Sequence, residues 1–400
     1  MKNILLVWEL GCGLGQITRL LTIGRALKNS GHNVIFAVRH LHHNHIGKMM
    51  HDQGFEWFQA PFNIGTLQVT TPRFNSYTHV IQNSSGLGLN LLLSQVKAWR
   101  HLYHEIKPDK IIFDNSPTAI IAAHGLDVAR IVIGNHYNIP PTQYPLPSMK
   151  RWIQISDQQL KHDEDTVVCV MNSVFKITDQ PAVNSIKDLY SLNEKMYLTF
   201  KEFDYYNNGF AETKYLGVLQ PVYDELPHWN PGDGKRIFIY LQPWGFVPTI
   251  LKFLQKMNCR VLALISNYWQ PGISDQIENF NRKNIKIGYK QYSITHVVQE
   301  CDLVICHSGH DTVCHTLLGG KPLILIPNNL DKNLTAKKVE EMGAGLLMDP
   351  TKSFDGFRDN VEKVLMDSSY TRNANKFAEK YQAFSYKDNL QKIISAIEKH

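Results

Sequence analysis

The stretch from Asp302 to Pro327 constrains the fold of this 400-residue chain more than any other part of the sequence. A β-branched apolar run is followed by a polar turn, by an apolar segment that two glycines end, and by a second apolar run that a proline closes. In one-letter code these parts read DLVIC, HSGHDT, VCHTLLGG and KPLILIP. This order predicts strand, loop, helix and strand, the repeating unit of a parallel α/β sheet. The helix would begin at the carboxyl edge of that sheet.

The polar turn of this unit predicts an anion site. A helix N-terminus carries unpaired N–H groups and a partial positive charge, and phosphates bind there. Four side chains would surround such an anion and can bond to phosphate oxygens or sugar hydroxyls: His307, Ser308, Asp311 and Thr312. The alternative is an ordinary turn whose polar residues only cap the helix.

Length and composition indicate a soluble protein of two domains, with 43% apolar and 20% charged residues. No apolar run approaches the roughly 20 residues that span a bilayer. The N-terminus lacks the features of a signal peptide, so we expect a cytoplasmic protein. Six scattered cysteines without a CxxC pair predict neither disulfides nor a zinc site. The net charge of +6 is too mild to indicate nucleic-acid binding.

A glycine loop follows the first predicted strand. Residues 3–10 form an apolar run with Glu9 near its end, and Gly13 and Gly15 lie in the loop before a predicted helix at 17–28. The spacing is GxGxG and no acidic residue closes the second predicted strand, so a dinucleotide site is disfavoured. The glycines instead allow the backbone to approach a ligand closely.

Asp114 and His136 follow two further predicted strands, at 110–113 and 130–133. Parallel α/β folds place ligand-contacting groups at the carboxyl ends of their strands. Both side chains are therefore candidates for a site at one edge of the first sheet. For Asp114 the alternative is that it caps the following helix.

Two clusters of potential metal ligands occur, and we predict no metal site at either. The DED triplet at 163–165 resembles a metal-binding motif, but no predicted strand precedes it, so we expect solvated surface. The HLHHNH segment has no acidic or cysteine partner nearby and is expected to be a solvated loop. Its histidines are His40, His42, His43 and His45.

A stretch rich in proline and glycine, 215–234, separates the two halves of the chain. A second α/β unit begins after it, with a predicted strand at 236–241. We therefore predict α/β architecture with an N-terminal Rossmann-like domain at 1–218, a linker at 219–234, a second Rossmann-like domain at 235–380, and a C-terminal helix at 381–400.

The segment from Tyr289 to Met348 resembles the donor-binding region of GT-B nucleotide-sugar glycosyltransferases, which include UDP-glycosyltransferases of the plant and macrolide type and bacterial enzymes with lipid-linked substrates. The N-terminal glycine loop and the central linker resemble the same family more weakly. The resemblance implies two Rossmann-like domains that face each other across a cleft, and a C-terminal helix, at 381–400, that packs on the first domain. The positions in step with the family are His307, Gly309, Thr312, Gly320, Pro322, Pro327, Asp331, Ala336, Gly343 and Gly345.

The same resemblance implies a donor site that works without a metal. In that family the histidine matched by His307 contacts the donor diphosphate, together with backbone N–H groups at the helix start. The loop matched by Asp331 and Lys332 reaches the hydroxyls of the donor sugar. The rest of the implied donor site consists of Tyr289, Gln291, Ser308, Gly309, Asp311, Thr312 and His315.

Three residues depart from the family pattern. Gln16 stands where many relatives carry a histidine base, and glutamine cannot take a proton from an acceptor hydroxyl. His315 replaces a glutamate that binds ribose hydroxyls in plant relatives. Lys332 replaces a common glutamine, which would suit an acidic or otherwise unusual sugar; the alternative is a surface lysine that points away from the donor. If a base is needed, the candidates are Glu9, Asp114 and His136, and the sequence does not order them.

The sequence thus predicts an inverting, metal-independent hexosyltransferase that uses a UDP- or dTDP-linked sugar as its co-substrate and needs no other cofactor. The acceptor would be a small molecule or a lipid. Its binding site would be lined by residues 63–90 and 137–156, which we interpret as loops. Peripheral membrane contact is compatible with this interpretation. Two alternatives stay open: a catalytically silent GT-B protein that binds donor or activates a transferase, and a nucleotide-sugar 2-epimerase.

Overall fold

A computed structural model describes residues 1–11, 14–40, 46–61, 74–85, 88–208, 211, 214–220, 223, 225–265 and 272–399. The chain divides into two compact units. The first contains Met1–Leu219 together with the residues from Lys387 onward, and the second contains Gln220–Tyr386. In the part of the chain that is described, no helix is long and apolar enough to cross a membrane.

Strands and helices alternate in the first unit. In chain order they are β1 (Asn3–Trp8), α1 (Gly15–Asn29), β2 (Asn33–Val38), α2 (Ile46–Asp52), β3 (Glu56–Gln59), α3 (Tyr77–Ser85), α4 (Leu89–Ile106), β4 (Lys110–Asp114), α5 (Pro117–Ala123), β5 (Ala129–Gly134), α6 (Asp157–Ile177), α7 (Ile186–Ser191) and β6 (Glu194–Tyr197). The six strands form one parallel sheet in the order β3-β2-β1-β4-β5-β6. Its central strands β1 and β4 are almost wholly buried, as expected of a parallel sheet covered on both faces.

The second unit repeats this plan. Its elements are β7 (Lys235–Leu241), α8 (Val247–Gln255), β8 (Cys259–Ile265), α9 (Ile273–Glu278), β9 (Ile285–Gly288), α10 (Ile294–Glu300), β10 (Leu303–Cys306), α11 (His310–Leu318), β11 (Leu323–Leu325), α12 (Leu330–Glu341), β12 (Gly345–Leu347), α13 (Phe357–Met366) and α14 (Ser368–Lys380). Its sheet is parallel, with the order β12-β11-β10-β7-β8-β9. In both sheets the first and fourth strands are central neighbours, where doubly wound folds bind ligands at the carboxyl edge.

These two sheets confirm the predicted α/β fold with two Rossmann-like units. The last helix, α15 (Tyr386–Lys399), begins at the final residue of the second unit and continues in the first. There Lys110, which is 1% exposed, donates from Nζ to the backbone oxygens of Ile397 and Glu398. A charged donor at the last carbonyls of a helix stabilises its C-terminus.

The loop predicted over 63–90 is wrong for residues 77–85, which form α3. Tyr77, Val80 and Ile81 are buried at helical spacing. Two serines that suggested a loop donate their hydroxyls to the Ile81 carbonyl and so fit inside the helix. Most other residues of the predicted loop lie outside the described ranges.

The prediction of solvated surface for the DED triplet is wrong for its central residue. The triplet lies on α6, and Glu164 is fully buried. Its carboxylate accepts from the backbone N–H of Leu146 at 2.7 Å and from that of Ile186 at 2.9 Å. Glu164 therefore ties two segments of the first unit to α6, and burial raises its pKa.

Candidate functional site

His307 lies at the carboxyl edge of the second sheet. Because β10 pairs in parallel with β7 and β11, Tyr240, Cys306 and Leu325 share one level of the sheet, and His307 follows directly. Its backbone N–H donates to the Tyr240 oxygen at 3.3 Å, and its Nδ1 lies 3.0 Å from the same oxygen. The rings of Tyr240 and His307 are 5.2 Å apart. The histidine is thus fixed by its neighbour on β7.

These contacts define the protonation of His307. A carbonyl oxygen only accepts, so Nδ1 carries the proton and Nε2 keeps its lone pair. Burial lowers the pKa of His307 to about 3, and the charge of Lys332 lowers it as well. The ring is therefore neutral at physiological pH, and its Nε2 can receive a proton but has none to donate.

Ser308 and the start of α11 provide the features of an anion site. Ser308 has a φ of 64°, is fully buried, and its hydroxyl has no hydrogen-bond partner among the described residues. Such backbone strain in a residue other than glycine concentrates at ligand sites. The helix begins at His310 after Gly309, which has no side chain to cap its N-terminus. An uncapped helix start next to an unsatisfied hydroxyl is suited to bind an anion.

Three predicted donor residues lie on α11. Asp311 is in the first turn, where its Oδ1 lies 3.2 Å from His310 Nδ1. Thr312 accepts from the Thr316 hydroxyl through its backbone oxygen. His315 is 4% exposed, its Nδ1 lies 2.8 Å from the Tyr386 hydroxyl, and burial lowers its pKa to about 4. One ring nitrogen of His315 is thus already used inside the second unit.

Asp331 and Lys332 do not lie in a loop, as the sequence predicted, but in the first turn of α12. Asn329 caps this helix by accepting from the Lys332 backbone N–H at 3.0 Å, which is why it begins earlier than its apolar residues indicate. The Lys332 ammonium donates to Asn328 Oδ1 at 2.9 Å, and Asn328 Nδ2 donates to Gln242 Oε1 at 3.1 Å. Because the charge of Lys332 also acts on His307, this polar chain belongs to the same site.

Sequence reasoning missed Tyr240, Gln242 and Asn328. Gln242 follows β7 directly, and Asn328 lies just beyond β11. The rule that polar residues after parallel strands share one edge would have found both, as it found Asp114. Tyr240 was not recognisable because its contact with His307 runs through the backbone oxygen.

Tyr289 and Gln291 follow β9 on the same edge. The Tyr289 side chain is 59% exposed, which leaves an aromatic face that a nucleobase can stack on. Gln291 forms a hydrogen bond with the Tyr240 hydroxyl, whose pKa burial raises to about 12. Through Tyr240, Gln291 is thereby linked to the position of His307.

In the first unit, Glu9 follows β1 and is fully buried. Its Oε2 accepts from the backbone N–H groups of Thr118 and Ala119 at 2.9 and 3.2 Å, and its Oε1 accepts from the Thr118 hydroxyl at 2.6 Å. These N–H groups belong to the first turn of α5, so Glu9 caps that helix from a neighbouring strand. Burial raises the pKa of Glu9 to about 7, although the hydrogen bonds oppose the shift.

Asp114 is also fully buried, and Arg19 holds it. Arg19 Nε donates to Oδ2 at 2.8 Å and Nη2 donates to Oδ1 at 3.2 Å, while Asn138 Nδ2 donates to Oδ1 at 3.2 Å. Gln16 lies one helical turn before Arg19 on α1, which begins at Gly15, and Gly13 lies outside the described residues. The guanidinium thus holds the Asp114 carboxylate through both of its oxygens.

His136 is fully buried and lies among tyrosines. The centroid of its ring is 4.9 Å from that of Tyr197 and 5.8 Å from that of Tyr215, and its Nε2 is 3.6 Å from Asp204 Oδ1. Asp204 also accepts from the Tyr215 hydroxyl at 2.8 Å. The structure thus brings Glu9 and Asp114 to neighbouring strand ends and surrounds His136 with a separate aromatic cluster.

Within the part of the chain that the structure describes, no three histidine, cysteine, aspartate or glutamate side chains come together as a metal site would require. Of the HLHHNH histidines only His40 is described, and its Nε2 accepts from Arg39 Nε at 2.9 Å. His42, His43 and His45 lie outside the described residues.

Comparison with known proteins relates both halves of the chain to sugar-transferring enzymes. Residues 246–385 match the family model described as the glycosyltransferase family 28 C-terminal domain. The chain is 22% identical over 407 residues to a PGL/p-HBAD biosynthesis glycosyltransferase of Mycobacterium tuberculosis, covering 95% of this chain and 89% of that protein. It is 28% identical over 195 residues to the UDP-N-acetylglucosamine--N-acetylmuramyl-(pentapeptide) pyrophosphoryl-undecaprenol N-acetylglucosamine transferase of Prochlorococcus marinus, covering 44% of this chain and 51% of that protein.

Solved structures resemble the chain over its whole length. The calicheamicin glycosyltransferase CalG4 matches with a TM-score of 0.69 at 14% identity, covering 99% of this chain and 97% of that chain. The glycosyltransferase VinC in complex with dTDP matches with a TM-score of 0.67 at 14% identity, covering 100% of both chains. At this level of identity the likeness establishes a common fold.

Proposed function

From the premise that this chain is a glycosyltransferase of the GT-B fold, we propose that it transfers a sugar from a UDP- or dTDP-linked donor, with inversion and without a metal, to a small-molecule or lipidic acceptor. The observation that carries the proposal is the carboxyl edge of the second sheet. There the uncapped start of α11, the buried hydroxyl of Ser308 and the neutral ring of His307 meet. A bound diphosphate would accept from the helix N–H groups and from the Ser308 hydroxyl, and from His307 Nε2 once the ring takes up a proton.

The charge of the diphosphate would be balanced within the second unit. The N–H groups at the start of α11 and the Ser308 hydroxyl donate to its oxygens, and Lys332 supplies a full positive charge near His307. Charge grows on the leaving phosphate in the transition state, and donors already in place stabilise it there. These groups supply the charge stabilisation that a divalent cation gives in metal-dependent enzymes.

The sugar and the nucleobase of the donor would extend in two directions from the diphosphate. Asn328 and Gln242 carry amides, and Asp331 carries a carboxylate, beside the predicted diphosphate position. Such groups bond to sugar hydroxyls. The exposed ring of Tyr289 would stack on the nucleobase.

On the acceptor side we propose Asp114 as the base. The bidentate contact from Arg19 fixes the position of this carboxylate, and a carboxylate held in place can act as a general base. The Asn138 contact, at 3.2 Å, is the one that an acceptor hydroxyl would displace. Glu9 is a weaker candidate because its hydrogen bonds go to α5, and His136 because its ring packs against Tyr197 and Tyr215 and its Nε2 lies near Asp204.

Matched substitutions test this assignment. Asp114→Asn removes the proton acceptor while keeping the shape of the side chain, and we expect kcat to fall by roughly 10² to 10⁴. Glu9→Gln makes the same chemical change at a buried carboxylate that caps a helix, and we expect kcat to change less than about threefold, since no proton transfer is lost. Nucleotide affinity and thermal unfolding are measured for both variants to show that the donor site and the fold persist. Full kcat in Asp114→Asn would exclude Asp114 as the base.

Product analysis separates the proposed transfer from the two other functions open to this fold. A transferase releases nucleoside diphosphate in step with the glycosylated acceptor, and in the absence of acceptor it transfers some sugar to water. An epimerase would return an altered donor with its nucleotide still attached. A silent binding protein would bind nucleotide but release no product with any acceptor, and either of these last results contradicts the proposal.

A further inference from the structure

A surface groove of about 570 Å³ lies in the first unit. It is formed by the chain segment that connects β5 to α6 and by the first turn of α6. Its walls combine apolar and basic side chains. The apolar part contains Pro145, Pro147, Ile153, Ile155 and Leu160. Neither the donor site nor the proposed base uses any of these residues.

The backbone along this groove is firmly held. Leu146 and Met149 are 1% and 0% exposed. The Leu146 N–H donates to the buried Glu164 carboxylate at 2.7 Å, and the Met149 N–H donates to the Asn75 oxygen at 2.7 Å. Because Leu146 and Met149 are buried and hydrogen-bonded, the segment that follows, residues 150–153, is held in place at the surface.

The displayed residues are unusually apolar for a position on the surface. Trp152 and Ile153 are each 46% exposed and adjacent in the sequence. Single exposed apolar residues are common in soluble proteins, whereas here two large apolar residues, Ile153 at the groove and Trp152 directly before it, are exposed together on a fixed segment, which we call the patch. A tryptophan ring with its polar N–H is the side chain most suited to the headgroup level of a bilayer.

Basic residues directly precede this patch. Lys150 and Arg151 line the groove, and Asp157 is the one acidic residue among its lining residues. Two nearby carboxylates are already engaged, since Asp165 accepts from the Tyr144 hydroxyl and Asp163 accepts from Gln159. Apolar side chains that enter an interface beside basic groups that attract anionic headgroups are the combination that holds peripheral proteins on membranes.

We propose that this face, Lys150 to Ile153 with the adjoining groove, binds an anionic membrane surface, with Trp152 and Ile153 inserted at the level of the headgroups. The inference goes beyond sugar transfer, since membrane binding requires neither a donor nor a working base. Within the proposed function it selects a lipidic acceptor, which the groove would meet at the bilayer surface. Charge complementarity favours this partner over a second copy of the chain, because two copies of the patch would bring the basic residues of both together.

Vesicle sedimentation of the full chain without nucleotide tests the proposal. We expect binding to vesicles of phosphatidylcholine that contain about 30% phosphatidylglycerol, and roughly tenfold weaker binding to phosphatidylcholine alone. Binding should weaken as salt is raised, because the headgroup attraction is screened. Trp152→Ala with Ile153→Ser, and separately Lys150→Glu with Arg151→Glu, should each reduce binding roughly tenfold or more.

Leu192→Ser is the matched control, because Leu192 is 55% exposed on the same unit but lies outside the groove. It should bind vesicles like the parent chain, and all variants should bind nucleotide in solution like the parent. Equal vesicle binding by the parent and the patch variants would overturn the proposal. So would concentration-dependent dimerisation that the patch variants abolish. Nucleotide binding is measured separately, so failure of the donor site and failure of the membrane face are distinguished.

Discussion

At the scale of single residues, the direction of each hydrogen bond decides what a side chain can do. The Tyr240 oxygen requires the proton on His307 Nδ1, so Nε2 can contact a phosphate as a donor only after the ring gains a second proton. Asp114, in contrast, already acts as an acceptor, because Arg19 donates to both oxygens of its carboxylate. His307 can thus become a donor to a phosphate only by taking up a proton, whereas Asp114 is an acceptor without any change.

Nucleotide binding should therefore take up a proton. A diphosphate at His307 raises the pKa of the ring from about 3, because the charged form gains a partner that the unliganded site lacks. Affinity should then strengthen as pH falls through the raised pKa of the bound ring toward the pKa of about 3 of the free ring. Calorimetry near the ordinary pKa of histidine, at about pH 6.5, in buffers of different ionisation enthalpy measures this uptake. His307→Gln should abolish it, and an unchanged uptake in that variant would assign the proton to another group.

Candidate site residues that directly follow a strand could be located from the sequence. Residues whose hydrogen-bond partners are distant in the chain could not. His307, Ser308 and Asp114 could be predicted because parallel strands bring their carboxyl ends to one edge. Glu164 could not, since its partners lie 18 and 22 residues away in the chain. The pairing of Asp114 with Arg19 spans 95 residues and left no local pattern either.

At the scale of elements, the starts of α11 and α12 would carry the proposed donor site, and both helices begin before the positions that apolar periodicity indicates. The apolar spacing of α11 begins at Val313, whereas the helix begins at His310; the regular apolar spacing of α12 begins at Leu334, whereas the helix begins at Leu330. The first turn of each helix contains polar residues, which a period of apolar residues does not register. Those polar first turns are the part of each helix that would contact the ligand.

Ser308 should show the opposing effects on stability and binding that are typical of a ligand site. Ser308→Ala removes a buried hydroxyl without a partner among the described residues, so the free energy of unfolding should rise by about 1 kcal/mol. Nucleotide affinity should fall about five- to tenfold, because the hydroxyl no longer bonds to the phosphate. Urea unfolding and calorimetry measure the two quantities.

Ser116→Ala is the control for this change. The Ser116 hydroxyl is also buried, but it donates toward the backbone oxygens of Val7 and Asp114 at 3.1 and 3.0 Å. Its removal should lower the free energy of unfolding by about 1 kcal/mol. If Ser308→Ala destabilised the protein in the same way and left affinity unchanged, Ser308 would be a structural residue.

At the scale of the whole molecule, the two sheets repeat one strand order although their sequences differ. This repetition was predictable because each unit alternates short buried strands with helices, and parallel sheets follow from that alternation. The packing of the C-terminal residues was implied only by the family resemblance. In the structure, Lys110 on a central strand of the first sheet binds the end of α15.

Lys110→Met should loosen that end of α15. The substitution keeps the length of the side chain but removes a charged donor from two backbone oxygens, and we expect a loss of about 2 kcal/mol in the free energy of unfolding. Limited proteolysis should then cut within α15 before it cuts elsewhere. Lys97→Met, at an exposed position on α4, is the control and should change the stability by less than about 0.5 kcal/mol. Equal stability of the two variants would show that the Lys110 contact does not hold the helix.

The donor site is the central claim, and calorimetric titration of the full chain with UDP and dTDP tests it most directly. We expect one of the two nucleotides to bind at a single site. His307→Ala should weaken that binding by roughly 1.5 to 3 kcal/mol, about ten- to a hundredfold, and His104→Ala, at an exposed histidine of the first unit, should leave it unchanged. Absence of binding by both nucleotides, or equal affinity in the parent and His307→Ala, would contradict the assignment of the donor site.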